Sequence, residues 1–455
     1  MRTTILRQTD ILAPIAGYSL PADLAEIDAV LRKHPEWVRL VHADLTKKRG
    51  VDAAKGRSGL PSNLVLRVVL LKHKLNVSLR KLATLLADSL SLREFVGLGL
   101  TELAPRRTTL QENVVRITPE TWSKILNGLV RSAESQEHER GEKVRVDATV
   151  TETNVHPPSD SSLLWDSIRV LTRTMGRAAE TFGVEFADES RLAKKLHRRI
   201  FYAHAKAERE PAYRAFIDVA DRVNAQTTKT ITALERLKLR GSSEQATRTA
   251  LLKDLAHFRG LLRQVIAQTT RRVINGESVP AQEKVFSIFE PETDMIVKRK
   301  NQPPEFGHKI TLTAGGSGIV LDCVVERGNP GDVTLAVRQL ERQKKILGEV
   351  PRAVAFDGAY ASKENLEAAR ALGVEQCAFS KGRGLTPEEM AGSRRTYGRL
   401  RKFRAGVEAT VSYLKNSFGL DRCTWKGWDR FQAYVWSAIV AANLTVLARR
   451  RLCTA

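Results

Sequence analysis

Five residues have the types and spacing to handle a phosphodiester. In RKFRAGVEATVSYLK, Arg404, Glu408 and Lys415 are spaced by four and seven positions, so one helical face carries all three. Val407, Val411 and Leu414 lie to one side of that stripe and offer it a core contact. Asp357 ends the apolar run AVAF, where a strand meets a loop, a usual place for site residues on an open α/β sheet. Asp147 sits among Val and Thr in VRVDATVTETNV. A carboxylate there is costly unless exposed or paired. Three carboxylates on rigid elements suit two hard dications, which want oxygen ligands and can serve both the attacking and the leaving oxygen of an in-line transfer. Arg404 and Lys415 would hold phosphate or orient a carboxylate. Taken singly, each feature has an ordinary reading: a strand-end cap for either Asp, an i, i+4 ion pair for Arg404 and Glu408.

Other polar and aromatic residues carry less. His156, in H-P-P, reads as a strand-ending turn, and His308 as a capping residue or one near DNA. Glu292 and Asp294 read as a solvated turn. Trp425 and Trp428 read as core anchors, with a platform for a flipped base as the other reading.

The elements that must position these residues follow from periodicity and caps. AEIDAVLRKHPEWVRLVHADL has helical spacing, and TKKRGVDAAKGRSGLP is a basic, Gly-rich joint. From Pro61 to about Ile117 the pattern is short helices, with Ser78, Ser91 and Thr108 or Thr109 as N-caps. Helices of this length suit a helix-turn-helix DNA reader or a dimerisation bundle. At Val144 the pattern turns to period two, a strand. From Ser162 to about Gly276 it is helical and basic. Strands return in EKVFSIFEPETDMIVKRK and in KITLTAGGSGIVLDCVVERG, a hairpin signalled by Gly315-Gly316. A helix, the Asp357 strand, a helix, the strand CAFSKG and a long helical region from about Arg394 to Arg451 follow. With the middle helical stretch set aside, the order is three strands, helix, strand, helix, strand, helix. This is the order of an RNase H-like mixed sheet, α/β in class, with an N-terminal helical domain and a large helical insertion after the first strand. The expected domains are a helical lead-in (1–50), a helical DNA-binding domain (51–135), a catalytic domain (140–160 and 280–451) and the insertion (161–279).

The balance of 74 Lys plus Arg against 51 Asp plus Glu, net +23 in 455 residues, points to a polyanionic partner, most commonly nucleic acid. Four cysteines without a C-x-x-C pair argue against a disulfide scaffold or zinc ribbon and for a reducing compartment. The N-terminus has no uninterrupted apolar stretch of the signal-peptide kind. FQAYVWSAIVAANLTVLARRR, interrupted by Gln432, Ser437 and Asn443, reads as a buried helix rather than a membrane span.

Arg, three residues, Glu, six residues, Lys resembles the C-terminal signature of DDE-type bacterial insertion-sequence transposases. In that signature a Tyr commonly stands three positions before the Arg. Here Arg401 stands there, and Tyr397 lies four further upstream. VRVDATVTETNV and AFDGAYAS look like the family's two Asp strands, and GRSGLPSNLVLRVVLLKHKLNVSLRKLATLL is similar to its N-terminal domain. The whole chain most resembles the ISNCY group, helical insert included.

The resemblance implies Asp147, Asp357 and Glu408 as catalytic and metal-binding residues, with two Mg2+ or Mn2+ ions. It implies cleavage and strand transfer at terminal inverted repeats, double-stranded donor and target DNA as partners, a homodimer assembled on DNA, and a cytoplasmic, nucleoid-associated bacterial protein. In many relatives a large insert lies between the second Asp and the Glu. Here the long gap lies between Asp147 and Asp357. An RNase H-like nuclease or resolvase, and a non-catalytic DNA-binding regulator derived from a transposase, are the alternatives.

Overall fold

The computed structural model describes residues 2–4, 20–47, 59–99, 101–298 and 302–454. Residues 48–58, most of the expected basic joint, lie outside the described residues. The chain forms two compact units, residues 1–154 with 308–455, and residues 155–307.

In the first unit, α1 (Ala22–Lys33) and α2 (Pro35–Thr46) divide the expected lead-in helix at His34-Pro35, where proline takes the N1 position of the new helix. Next come α3 (Ser62–Lys74), α4 (Leu79–Asp88), α5 (Leu90–Val96), α6 (Arg107–Val114) and α7 (Pro119–Ser135). Ser78 caps α4 as expected, its hydroxyl accepting from the Lys81 N–H. Ser89 rather than Ser91 caps α5, and α6 begins at Arg107 with neither threonine as its cap. Ten of the thirteen residues of α3 are buried, which leaves little of that helix to read a DNA groove. Strand β1 (Lys143–Thr153) completes the first part of this unit.

The second unit holds α8 (Asp160–Phe182), α9 (Ser190–Tyr202), α10 (Lys206–Arg236), α11 (Ser242–Thr269) and the short strand β2 (Asp294–Ile296). A Ser159/Ser162 capping box starts α8. These helices enclose their own core, built from residues such as Leu164, Leu171, Phe216, Val223, Leu255 and Leu262. The strand expected across EKVFSIFEPETDMIVKRK is only β2, paired antiparallel with Glu305–Gly307. Buried Val285 and Phe286 come before it in a stretch with no strand.

From β3 (Glu305–Ala314) the chain runs through β4 (Val320–Val325), α12 (Ala336–Leu347), β5 (Ala353–Phe356), α13 (Lys363–Ala371), β6 (Gln376–Phe379), α14 (Pro387–Ala391), α15 (Arg394–Phe418), β7 (Arg422–Cys423) and α16 (Trp428–Thr454). The expected β3–β4 hairpin turns at Gly315, whose N–H bonds Ile319 O. The sheet runs β3–β1–β5–β6, with β2 and β4 both paired to β3 and β7 paired to β1, and with β1, β5 and β6 parallel.

Successive strand residues face opposite sides of a sheet, and the two sides here differ in size. Val144, Val146, Val354, Phe356, Cys377 and Phe379 face the main core. Ala355 and Ala378 face the other side with Leu400 of α15, small residues that let this helix lie close to the sheet. Helix α16 is long and apolar enough to cross a membrane, but 83% of its most apolar window is buried in the protein. Two of its polar interruptions are buried and satisfied inside. Ser437 bonds His73 Nε2 at 2.9 Å, and Asn443 bonds the N–H and carbonyl of Val320 at 2.9 and 2.8 Å. Buried polar groups cost little once paired, so α16 is the central core helix that the sequence indicates.

Candidate active site

Strand register brings the two aspartates together. β1 and β5 pair in parallel with Val146 opposite Phe356, so Asp147 and Asp357 each follow a paired residue at neighbouring C-terminal positions. β5 and β6 pair with Phe356 opposite Phe379, which puts Ser380 in the next position of the same row. All three side chains project on the small-residue side, under α15.

Helix α15 supplies the rest. Arg404 Nη2 lies 3.0 Å from Asp147 Oδ2 and 3.1 Å from Asp357 Oδ1, and Nη1 lies 3.0 Å from Glu408 Oε1. One guanidinium therefore touches all three carboxylates. The Arg404 side chain is 16% exposed, those of Asp147 and Asp357 17% and 37%, and that of Glu408 69%. The expected Arg404–Glu408 pair thus exists, but it is the outer edge of a larger cluster. Val407 and Leu414 are buried and fix the helix face, as expected.

The two aspartates have different proton affinities. Burial pushes the Asp147 carboxyl up to about 6, against the pull of Arg404 and the Ala148 N–H; Asp357 and Asp332 push it further up. Asp357 is also raised by burial. The Ser380 hydroxyl, Arg404 and the backbone N–H groups of Gly358 and Ala359 outweigh that effect and leave it below the usual carboxylate range. Both share Arg404, so the difference comes from exposure and from the extra donors at Asp357.

Three positioning residues escape the sequence pattern. Ser380 Oγ donates to Asp357 Oδ1 at 2.9 Å and accepts the Gly358 N–H at 2.8 Å. Tyr397, upstream of the position the signature gives to tyrosine, donates its hydroxyl to Phe379 O at 3.0 Å and so props the strand end that carries Ser380. Arg145, two residues before Asp147 on the same face, donates to Phe403 O at 3.2 Å and stacks on the Phe403 ring. A side chain at position 406 would overlap the Arg145 guanidinium, so Gly406 leaves room for this clamp between β1 and α15. The available signals were a Ser directly after a strand, and a Gly between Arg404 and Glu408.

Lys415 stands apart from the carboxylates. It lies eleven residues beyond Arg404, about 16 Å along the helix at 1.5 Å per residue, and pairs with Asp421 at 3.6 Å. It lines a groove of about 850 Å3 together with Lys72, Arg80, Arg107 and Arg422. Lys72 is 7% exposed; its ammonium lies over the Tyr434 ring, and burial lowers its pKa to about 8. Trp425 is a buried anchor against Tyr434. His308 is buried edge-on between Trp428 and Phe431. His156 faces Asp166 at 3.7 Å.

Among the described residues, no three His, Cys, Asp or Glu side chains are gathered closely enough to hold a metal as they stand. The donor set still fits one. Three carboxylates converge on a single positive group, leaving an anionic surplus that suits a hard dication.

The strand order, the parallel β1–β5–β6 trio and the acidic groups at its C-terminal end define an RNase H-like core, entered by N-terminal helices and interrupted after its first strand. Family comparison identifies the kind: residues 299–444 match the transposase DDE domain, and residues 22–116 match a transposase domain (DUF772). The chain belongs to the DDE transposases of insertion sequences. It matches no curated protein and no solved structure. Members of this family act on DNA and depend on divalent metal.

Proposed function

We propose that Asp147, Asp357 and Glu408 are the catalytic carboxylates of this transposase and hold two Mg2+ or Mn2+ ions. The observation that carries this reading is the contact of all three with one guanidinium, the two aspartates directly after the paired residues of adjacent parallel strands and Glu408 on α15. The metal ions would supply Lewis-acid stabilisation of the attacking and leaving oxygens. The chain's own residues supply the rest. Ser380 fixes the rotamer of Asp357, Arg145 holds α15 against β1, and Arg404 neutralises the carboxylates and can turn to phosphate.

The substrate is DNA, and the ends acted on are the element's terminal inverted repeats. Water attacks the phosphorus at each end and frees a 3′-hydroxyl. That hydroxyl then attacks a target phosphodiester, with a target 3′-oxygen leaving. Residues 51–135 contribute to binding the ends, as do Arg404 and Lys415, and two copies assemble on DNA. The family is normally cytoplasmic, and the DNA substrate supports a nucleoid-associated bacterial protein. The ISNCY-group reading rests on the sequence resemblance.

Asp147→Asn, Asp357→Asn and Glu408→Gln should each abolish cleavage and strand transfer of a pre-cut end while duplex binding persists. Strand transfer retained by any of the three would remove that residue from the catalytic set.

A further inference from the structure

Helix α9 carries a feature that the carboxylate chemistry does not use. Its buried stripe is Ala193, Leu196 and Ile200, which anchor it in the second unit's core. Its other face is exposed and carries Arg191, Lys194, Lys195, Arg198 and Arg199. No acidic residue occurs between Ser190 and Tyr202, and among the described residues none of these five cations is in an ion pair. The helix ends in two aromatic rings, Phe201 and Tyr202, which are 70% and 71% exposed. They meet edge to face at 5.2 Å. Large aromatic side chains this exposed on a folded unit mark a contact surface.

Beside them lies a cavity of about 360 Å3, within the size range of small-ligand pockets. Phe201 and Tyr213 form aromatic walls, and Ser159, Ser161, Arg209 and Glu210 supply polar groups. Arg209 is braced by its Nε–H on Ala203 O at 2.9 Å. A run of cations leading to exposed aromatics is the arrangement by which proteins hold unpaired nucleic acid: the cations track phosphates while bases stack on rings.

We propose that α9 and this cavity bind single-stranded DNA, with one unpaired base stacked on Phe201 and Tyr202 at the mouth of the Phe201–Tyr213 cavity. This gives the helical insertion a role as a reader of unpaired strand, separate from the carboxylate site. It rests on the chain acting on DNA, but not on which residues are catalytic. Charge complementarity decides the occupant. Five unpaired cations beside stacking rings suit a polyanion with π-faces, whereas an acidic peptide offers charge without a stacking partner.

The test uses the full chain and the double variant Phe201→Ala/Tyr202→Ala. Both residues are exposed, so the fold should be retained, which circular dichroism checks. A single-stranded oligonucleotide with 2-aminopurine at successive positions reports stacking by fluorescence quenching, and a duplex of the same length is the comparison. The wild type should quench 2-aminopurine. The variant should lose quenching and bind the single strand about tenfold or more weakly, the worth of one stacked base, with duplex affinity changed less than twofold. Equal losses on single strand and duplex, or no loss on either, would overturn the proposal. So would binding to phosphatidylserine vesicles that the variant loses while single-strand binding is intact, since that makes α9 a membrane face. If the wild type fails to bind single strand yet joins pre-cut ends, this inference falls and the transposase assignment stands.

Discussion

Replacing Arg404 by methionine removes the cation shared by three carboxylates while keeping most of the side chain's bulk. The contact with Asp147, at 3.0 Å between two side chains less than one-fifth exposed, is the strongest of the three. A hydrogen bond to a charged group contributes about 1.5–3 kcal/mol. The Glu408 pair adds almost nothing, because that carboxylate is 69% exposed. Asp357 is intermediate and has other donors. Arg404 therefore holds the metal-free cluster by about 2 kcal/mol net, in the range of a single charge-assisted contact. A dication entering among the same oxygens must first displace that contact. Arg404→Met should accordingly bind Mn2+ about 30-fold more tightly than the wild type, read by electron paramagnetic resonance titration of the DNA-free protein. The same variant should be less stable without metal, because Asp147 and Asp357 then face each other uncompensated. Saturating Mn2+ should close the gap in Tm. Equal or weaker Mn2+ binding by the variant would refute the reasoning, since the guanidinium and the metal would then not compete for the same oxygens.

Ser380→Ala removes a donor to Asp357 and lets that carboxyl titrate at higher pH. The acid limb of the strand-transfer pH profile should move upward, and an unmoved limb would show that Ser380 acts only on packing. Lys72→Met should stabilise the protein at pH 7. Lys72 titrates near 8 when folded against 10.5 for an ordinary lysine, so the unfolded chain binds more protons between those values and wild-type stability rises with pH there. The gain is at most about 3 kcal/mol, reduced by the lost cation–π contact with Tyr434. It should vanish above pH 10.5, and urea titrations at pH 7 and 11 measure it. Lys415→Ala should lower the salt slope of duplex binding by about one, with its largest loss at low salt. An unchanged slope would make Lys415 a structural partner of Asp421 alone.

Local signals in the sequence determined a good deal. The i, i+4 pairing of Arg404 and Glu408 follows from helical repeat alone, as does the buried side marked by Val407 and Leu414. Period-two alternation marked β1, and the apolar run before Asp357 marked β5. Gln432, Ser437 and Asn443 in an apolar helix were enough to prefer a core helix to a membrane span.

Tertiary structure decided what spans long sequence separations. Asp147 and Asp357 meet only because β1 and β5 are neighbours in register, a pairing no local pattern encodes, across a chain that leaves to build a unit with its own core. Ser380 and Tyr397 gained roles from the same register, through β6. Arg404 could be placed on a helical face from sequence, but not at the centre of three carboxylates. That required α15 to lie close over the small residues Ala355 and Ala378, with room at Gly406 for Arg145 to hold it. Lys415, on the same stripe, went to a different groove because a straight helix carries its two ends to different surroundings. Periodicity fixes which way a side chain points on its own element. Which charges then share a space depends on the packing of elements far apart in sequence.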